Sequence, residues 1–356
     1  MNYNRRFTYH LLVMTGLLSL LCSCHQPAGT TYTPPNFSTI KNADVTVIGN
    51  ENIIYPFTWS MQIKDSTIIM SGLLDGKWVH SYNRFSGKPI SSHIRNGEGP
   101  DEIISSSKTS FAIDSNYYKT FDEETQKIKF YDKEFNFVNQ YTPGHSKVLR
   151  VTDVYFLPDD RYLLQAFIDK GYSALTIVRE GQEGNLYTVT PVDNSIDITL
   201  NDNTPNLRKL YRRTRSALSP DATKMVCTTI SGAYMEIFDI DNLTLVPKVT
   251  RYMYPFEVET NGNLQCTTSN STQGFSAVYA TNSRIIGAFL GHTDLMGPSD
   301  ITVWDWNGNP LRKYKTNYQI IAMTPSPDSP DDIYALGGTK NGEIHLLLFH
   351  CPGLLE

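Results

Sequence analysis

Cysteine is scarce in this chain. Its 356 residues hold five, and after Cys24 only Cys227, Cys266 and Cys351 remain, an odd number with no C-x-x-C spacing. That excludes a disulfide scaffold and a zinc-finger arrangement. One disulfide among the three stays open, as do three small buried thiols. No stretch shows a sustained helical period with caps, which argues against α/β folds. There is no G-x-S-x-G elbow, no H-E-x-x-H and no P-loop. Ser105 and Lys108 spell S-x-x-K, but in a Ser-rich stretch without companion motifs. The eight His residues scatter without ligand spacing, so the sequence nominates no catalytic residue, no metal and no cofactor. Basic residues cluster only once, at Arg208, Lys209, Arg212, Arg213 and Arg215.

What is present begins with the N-terminus. Asn4-Arg5-Arg6 supplies positive charge, and Leu11 to Leu21 is an apolar run too short for a comfortable membrane span. It ends in Leu21-Cys22-Ser23-Cys24, which resembles a bacterial lipobox. By that resemblance residues 1–23 are a removed leader and Cys24 is the lipidated first residue; an ordinary signal peptide or an uncleaved anchor are the alternatives. Acyl chains would hold the protein on a membrane, each buried CH₂ contributing about 0.8 kcal/mol. Without Arg5 and Arg6 the chain keeps 29 Lys and Arg against 36 Asp and Glu, a formal charge of −7. Nucleic acid is not an expected partner of such a surface. The residues after Cys24 are not acidic, and the expected location is the cell envelope, on the outer membrane facing the periplasm.

Residues 24–42 are small, polar and proline-rich, which reads as a flexible tether. Order is expected from about Ala43, giving a domain over 43–356. Within it, six segments begin near residues 60, 110, 152, 216, 277 and 320, each a set of short strands broken by Gly, Asn, Asp or Pro. Twelve per cent aromatic residues suits half-buried strand surfaces. Two β-sandwich domains would also give many short strands. The common order of an innermost strand, a Pro/Asp/Asn turn, a β-branched strand and an aromatic strand favours a propeller. The expected fold is all-β, a six-bladed β-propeller closed by pairing of N- and C-terminal strands, with Val45 to Ile48 completing the last segment because an open edge invites aggregation. The clearest local signal is Ile301 to Tyr314, where Asn307-Gly308 predicts a tight hairpin turn on the solvent side. Trp304 and Trp306 are expected on one strand face, packed between blades.

Arg95-Asn96-Gly97-Glu98-Gly99-Pro100-Asp101-Glu102 resembles the G-x-G-P-x-E signature of six-bladed propeller lipoproteins of the Bacteroidetes type, also described as TolB-like. The resemblance implies the fold; members of that group mostly lack an assigned activity. Gly97 and Gly99 are expected to permit positive φ, and Pro100 to fix the exit from the loop. Glu102 would either cap backbone amides in a structural turn or join Arg95 and Glu98 in a rim site for a cation or basic ligand. Gly291-His292-Thr293-Asp294 sits in an insertion where long loops carry function, so His292 and Asp294 are either ligand-binding or a turn with an Asx hydrogen bond. The basic run, Arg212 above all, would grip an anion, or merely offset the acidic charge as a solvated loop. These readings lead to a membrane-anchored envelope protein with a binding or scaffolding propeller for a protein or polysaccharide partner. The alternative is a propeller hydrolase or lyase acting on glycans with a cation in the channel.

Overall fold

The first strand of each blade faces a central channel, and the later strands fan outward. The computed structural model describes residues 31–49, 54–58, 60–113, 116–168, 173–188, 214–230, 232–255, 258–261, 263–266, 271–339 and 342–356. Cys24, Arg212 and the rest of the basic run before Thr214 lie outside the described residues. Blade 1 comprises Ser60–Lys64, Thr67–Leu74, Lys77–Asn83 and Pro89–Arg95. Blade 2 comprises Ser106–Ile113, Tyr118–Asp122, Lys127–Tyr131 and Phe137–Tyr141. Blade 3 has Val148–Phe156, Tyr162–Ile168, Ser173–Arg179 and Gln182–Thr188. Blade 4 has Thr214–Leu218, Lys224–Thr229, Tyr234–Asp241 and Thr244–Tyr252. Blade 5 has Phe275–Ala280, Ile285–Phe289, Asp300–Trp304 and Pro310–Lys315. Each is an antiparallel meander with neighbours paired in sequence order.

Blade 6 takes three strands from the C-terminal end, Gln319–Pro325, Asp332–Gly338 and Ile344–His350, and its fourth from Asp44–Ile48. That strand runs antiparallel to the last one, from Asp44 opposite His350 to Ile48 opposite Leu346. The expected closure is therefore present. Six apolar clusters, one at each blade-to-blade seam, hold the ring, including a seam of blade 6 with blade 1 built on Leu336, Leu346, Ile68 and Met70. Strand alternation supplies both seams of a blade from one strand. Ile286 and Ala288 face blade 6, whereas Ile285 and Phe289 face blade 4. Second strands consequently bury most of their residues, in apolar runs such as Ile68-Ile69-Met70 and Leu163-Leu164.

Order starts ahead of Ala43, and this corrects the boundary drawn from composition. Thr39–Asn42 is a strand lying parallel to Pro310–Lys315 as a fifth strand on blade 5. Before it, the Thr33 amide donates to the Tyr252 carbonyl of blade 4 at 2.8 Å. Phe37 is buried in the blade 4–5 seam with its ring 5.2 Å from that of Trp304. Residues 33–48 thus form a strap across the outer edges of three consecutive blades.

The Ile301 to Tyr314 hairpin is present, but its turn differs from the two-residue form. Asp305 and Asn309 pair across a three-residue loop, the Asp305 amide donating to the Asn309 carbonyl at 3.1 Å. Asp305 Oδ1 accepts from the amides of Asn307 and Asn309. Only Gly308 takes a positive φ, +73°, as the left-handed residue that closes such a loop. A Cβ there would sit 3.1 Å from Val249 and 3.3 Å from Arg251, so the turn leans on blade 4 instead of standing in solvent. Trp304 and Trp306 both join the blade 4–5 cluster. Blade 2 repeats the same loop: Asp132 pairs with Asn136, and Phe135 occupies the left-handed position at +63°. Its ring is stacked 4.1 Å from His93 and 4.0 Å from Tyr118, contacts that offset the backbone strain.

Candidate functional site

The antiparallel order gathers three kinds of segment on one face of the ring: the starts of the first strands, the turns between second and third strands, and the blade-to-blade connections. Both loops singled out in the sequence lie there. They do different things.

The loop after Pro89–Arg95 is braced from below. Glu102 Oε2 accepts from the Gly99 amide at 2.9 Å. The Ile103 carbonyl accepts from Trp78 Nε1 at 2.8 Å, the Asp101 carbonyl accepts from the Tyr131 hydroxyl at 3.2 Å, and the Glu102 carbonyl accepts from Lys129 Nζ. Lys129 is buried, 3.8 Å from the fully buried Asp122, and burial lowers the pKa of its ammonium. Asp122 in turn accepts from the amides of Ile104 and Ser105. Neither Gly97 nor Gly99 has the positive φ expected of it. Gly97 is needed for space instead, since a Cβ would lie 2.1 Å from Glu102 Oε2. Arg95 and Glu98 are exposed, and neither they nor Glu102 is among the described lining residues of the two channel cavities below.

The loop after Ile285–Phe289 contains the expected Asx turn. Asp294 Oδ1 accepts from the Met296 amide at 2.9 Å, and its carbonyl accepts from the Gly297 amide at 3.1 Å. His292 Nε2 lies 2.9 Å from the Pro298 carbonyl, and Nδ1 is buried without a partner among the described residues. His292 and Asp294 therefore shape the loop, and the residues beside them reach the site. Leu295 and Met296 line the mouth of the channel, with Met296 62% exposed at the tip.

That mouth is a cavity of about 420 Å³ lined by Phe57, Ile230, Leu295, Met296, Ile320 and Ile321, with Gly338, Thr339, Gly342 and Ile344 from blade 6. A second cavity of about 290 Å³ continues along the channel, walled by first-strand residues of all six blades. Ser276 and Gln319 add polar atoms to the mouth; the Gln319 amide donates to the Leu295 carbonyl at 2.8 Å and ties the tip loop to blade 6. Among the described lining residues one side chain is charged, and it lines both cavities: Arg215, 8% exposed, at the start of the blade 4 first strand. Its Nε donates to the Ser276 carbonyl at 2.9 Å. Arg215 is the last member of the basic run that the sequence leaves open between an anion site and a solvated loop, and in the structure it is a channel residue. Among the described residues, no group of three or more His, Cys, Asp or Glu is placed to hold a metal ion.

Away from the channel, the blade 3–4 seam contains a buried carboxylate. Glu236 is 2% exposed and accepts from the Tyr187 hydroxyl. Burial pushes its carboxyl above the usual range, and the hydrogen bonds from Tyr187 and Tyr234 oppose that rise. Cys227, in the same seam, and Cys351 are free buried thiols; the Cys266 side chain lies outside the described residues.

A family model described as TolB-like 6-blade propeller-like matches residues 36–326. Among solved structures, a member of the DUF4221 family from Bacteroides vulgatus superimposes with a TM-score of 0.56 at 8% identity, covering 87% of this chain and 96% of that one. A Bacteroides fragilis protein described as exported gives 0.53 at 11%, covering 88% and 98%. A gluconolactonase from Xanthomonas campestris gives 0.52 at 11%, covering 92% and 100%. At such identities the likeness establishes the fold. No curated protein matched the sequence.

Proposed function

This chain belongs to the TolB-like 6-blade propeller-like family, and we propose that it is a binding or scaffolding module of the bacterial cell envelope, holding its partner on the mouth of the ring. The observation that carries this reading is the composition of the mouth: apolar side chains from blades 4, 5 and 6 and from Phe57, with Met296 and Phe57 62% and 48% exposed. Exposed apolar side chains gathered at a concave opening mark a place where another molecule is desolvated. The glycan hydrolase or lyase reading needs acids or His converging on one point of the channel; the described lining residues include neither. The Bacteroides fragilis neighbour described as exported and the leader-like segment before Cys24 support placement in the envelope. On this reading residues 1–23 are removed and lipidated Cys24 anchors the chain, outer-membrane-bound and facing the periplasm. The partner is a protein or an extracellular polymer.

Two measurements test the parts separately. Cys24→Ser should move the protein out of the membrane fraction, and retention there would refute the anchor. Capture from envelope extracts on immobilised wild type and on Met296→Asp should differ by the mouth-dependent partner alone; identical captures would refute the mouth as the binding surface.

A further inference from the structure

We propose that the outer edge of blade 6, the strand Asp44–Ile48, is an interface between two copies of this chain, which pair antiparallel about Thr46 into one continuous sheet.

Outer strands are where a propeller leaves backbone groups unpaired, and a regular edge is a template for another strand. Among the described residues, five of the six outer pairings are interrupted. The register shifts between Ser81 and Tyr82 in blade 1, between Phe137 and Asn139 in blade 2 and between Thr176 and Val178 in blade 3. It shifts again between Ile237 and Phe238 in blade 4 and between Val303 and Trp304 in blade 5. Such bulges bend a strand and spoil its edge as a template. Pro89 and Pro247 also remove backbone donors from the outer strands of blades 1 and 4, and Thr39–Asn42 covers that of blade 5. Blade 6 differs. Asp44–Ile48 pairs with the strand before it without a shift, ends its sheet, and contains neither Pro nor Lys. Val45 and Val47 are 42% and 47% exposed. Strand addition to an outer edge is already used next door, where Thr39–Asn42 lies on Pro310–Lys315.

Three features select a second copy as the occupant. The strand carries one charge, Asp44 at its end. Antiparallel pairing about Thr46 sets Asp44 opposite Ile48 of the other copy and keeps the two Asp44 residues roughly 14 Å apart, from about 3.4 Å per residue. Parallel pairing in register would set them side by side, which is unfavourable. The side chains also complement themselves. Val45 meets Val47 of the other copy on one face, so four half-exposed valines cover one another, and Thr46 meets Thr46 on the other face; β-branched cross-strand pairs stabilise sheets. Finally, each copy offers one such edge, so a two-fold pairing consumes it and association closes at the dimer.

The test is sedimentation equilibrium of the full chain carrying Cys24→Ser, which has neither acyl chains nor that thiol to associate copies. Its average mass should rise with concentration toward twice the monomer value and no further. Val45→Lys combined with Val47→Lys, both on exposed side chains, should hold the protein at the monomer mass with an unchanged melting temperature. The register has its own readout. Thr46→Cys lies on the two-fold axis and should oxidise to a linked dimer about tenfold faster, or more, than Asp44→Cys, because Cα atoms beyond about 7 Å cannot be bridged. That comparison decides the matter if the lysine variant fails to fold. A dimer indifferent to the two lysines would put the contact elsewhere and overturn the proposal. Monomer mass at every concentration, with equal oxidation rates, would overturn the second copy and leave the edge to a strand of another protein.

Discussion

Arg84 and Asp328, 244 residues apart in sequence, form a two-pronged ion pair across the seam of blade 6 with blade 1, with Nη1 to Oδ2 at 2.5 Å and Nη2 to Oδ1 at 2.9 Å. The two partners sit in different surroundings. The Arg84 side chain is 7% exposed, its guanidinium 4.3 Å over the Phe85 ring, whereas the Asp328 side chain is 57% exposed. Removing Arg84 returns a carboxylate to water. Removing the Asp328 charge leaves a guanidinium buried beside apolar rings, the costlier fault. Asp328→Asn should therefore lower the melting temperature by more than Arg84→Met does, as read by differential scanning calorimetry of both variants. The reverse order would mean that the pair does not govern this seam.

The strap makes a second prediction. Phe37 fills the blade 4–5 seam against Trp304, and truncating such a buried ring costs about 3 to 5 kcal/mol. Phe37→Ala should lower stability by about that amount in denaturant titration, although composition alone places residue 37 in a tether. Deleting residues 43–49 should do more, because it removes the fourth strand of blade 6 and opens the ring. The expected result is loss of the single cooperative transition for the whole propeller. Survival of a native-like transition would mean that closure is dispensable.

The contrast between these two segments explains what was legible. Val45 to Ile48 could be read because an unpaired C-terminal edge demands a partner. Thr39–Asn42 could not, since its burial runs from intermediate to exposed and Ile40 is 57% exposed. A parallel edge strand with solvent on both faces leaves no alternation to see. The six blade starts were visible because short strand-like runs recur between breaks of Gly, Asn, Asp or Pro. The mouth was not, because its lining is drawn from separate stretches, Phe57, the starts and loops of blades 4 and 5, and two segments of blade 6, and no single stretch looks like a site. Arg215 was seen as charge in a basic run, and only the strand direction of blade 4 places it in the channel. Gly97 and Gly99 were read as conformational glycines on their type alone; the need at Gly97 is room for the Glu102 carboxylate, a tertiary contact that spacing does not reveal.

Glu236 sets a pH dependence with a definite sign. Burial raises its carboxyl above the ordinary range, so the folded state binds the proton more tightly than the unfolded chain does. The associated stability is complete below the ordinary carboxylate range and is lost as pH rises through the raised folded value. Glu236→Gln keeps an acceptor for Tyr187 and removes the ionisation. As pH rises from the ordinary carboxylate range through the raised folded value, the wild-type melting temperature should fall relative to that of the variant. Parallel curves would show that the carboxyl titrates as it does in the unfolded chain.

The G-x-G-P-x-E segment, the most specific motif in the sequence, makes the last prediction. If it were a ligand loop, Arg95 and Glu98 would matter and its supports would be secondary. The supports of the loop are in the structure. Trp78, Lys129 and Tyr131 hold three successive carbonyls of the loop, and Lys129 is balanced by the buried Asp122. Breaking a buried pair from one side costs about 3 to 5 kcal/mol; the backbone amides that Asp122 also accepts from place Lys129→Met at the lower end, about 3 kcal/mol. Arg95→Ala and Glu98→Ala, both on exposed side chains, should stay within about 0.5 kcal/mol of wild type and leave ligand binding at the mouth unchanged. Denaturant titration and capture from envelope extracts on the three variants check the pattern. A loss of binding in Arg95→Ala or Glu98→Ala at unchanged stability would restore the loop as a site, whereas a loss of stability confined to Lys129→Met fixes the motif as the brace between blades 1 and 2.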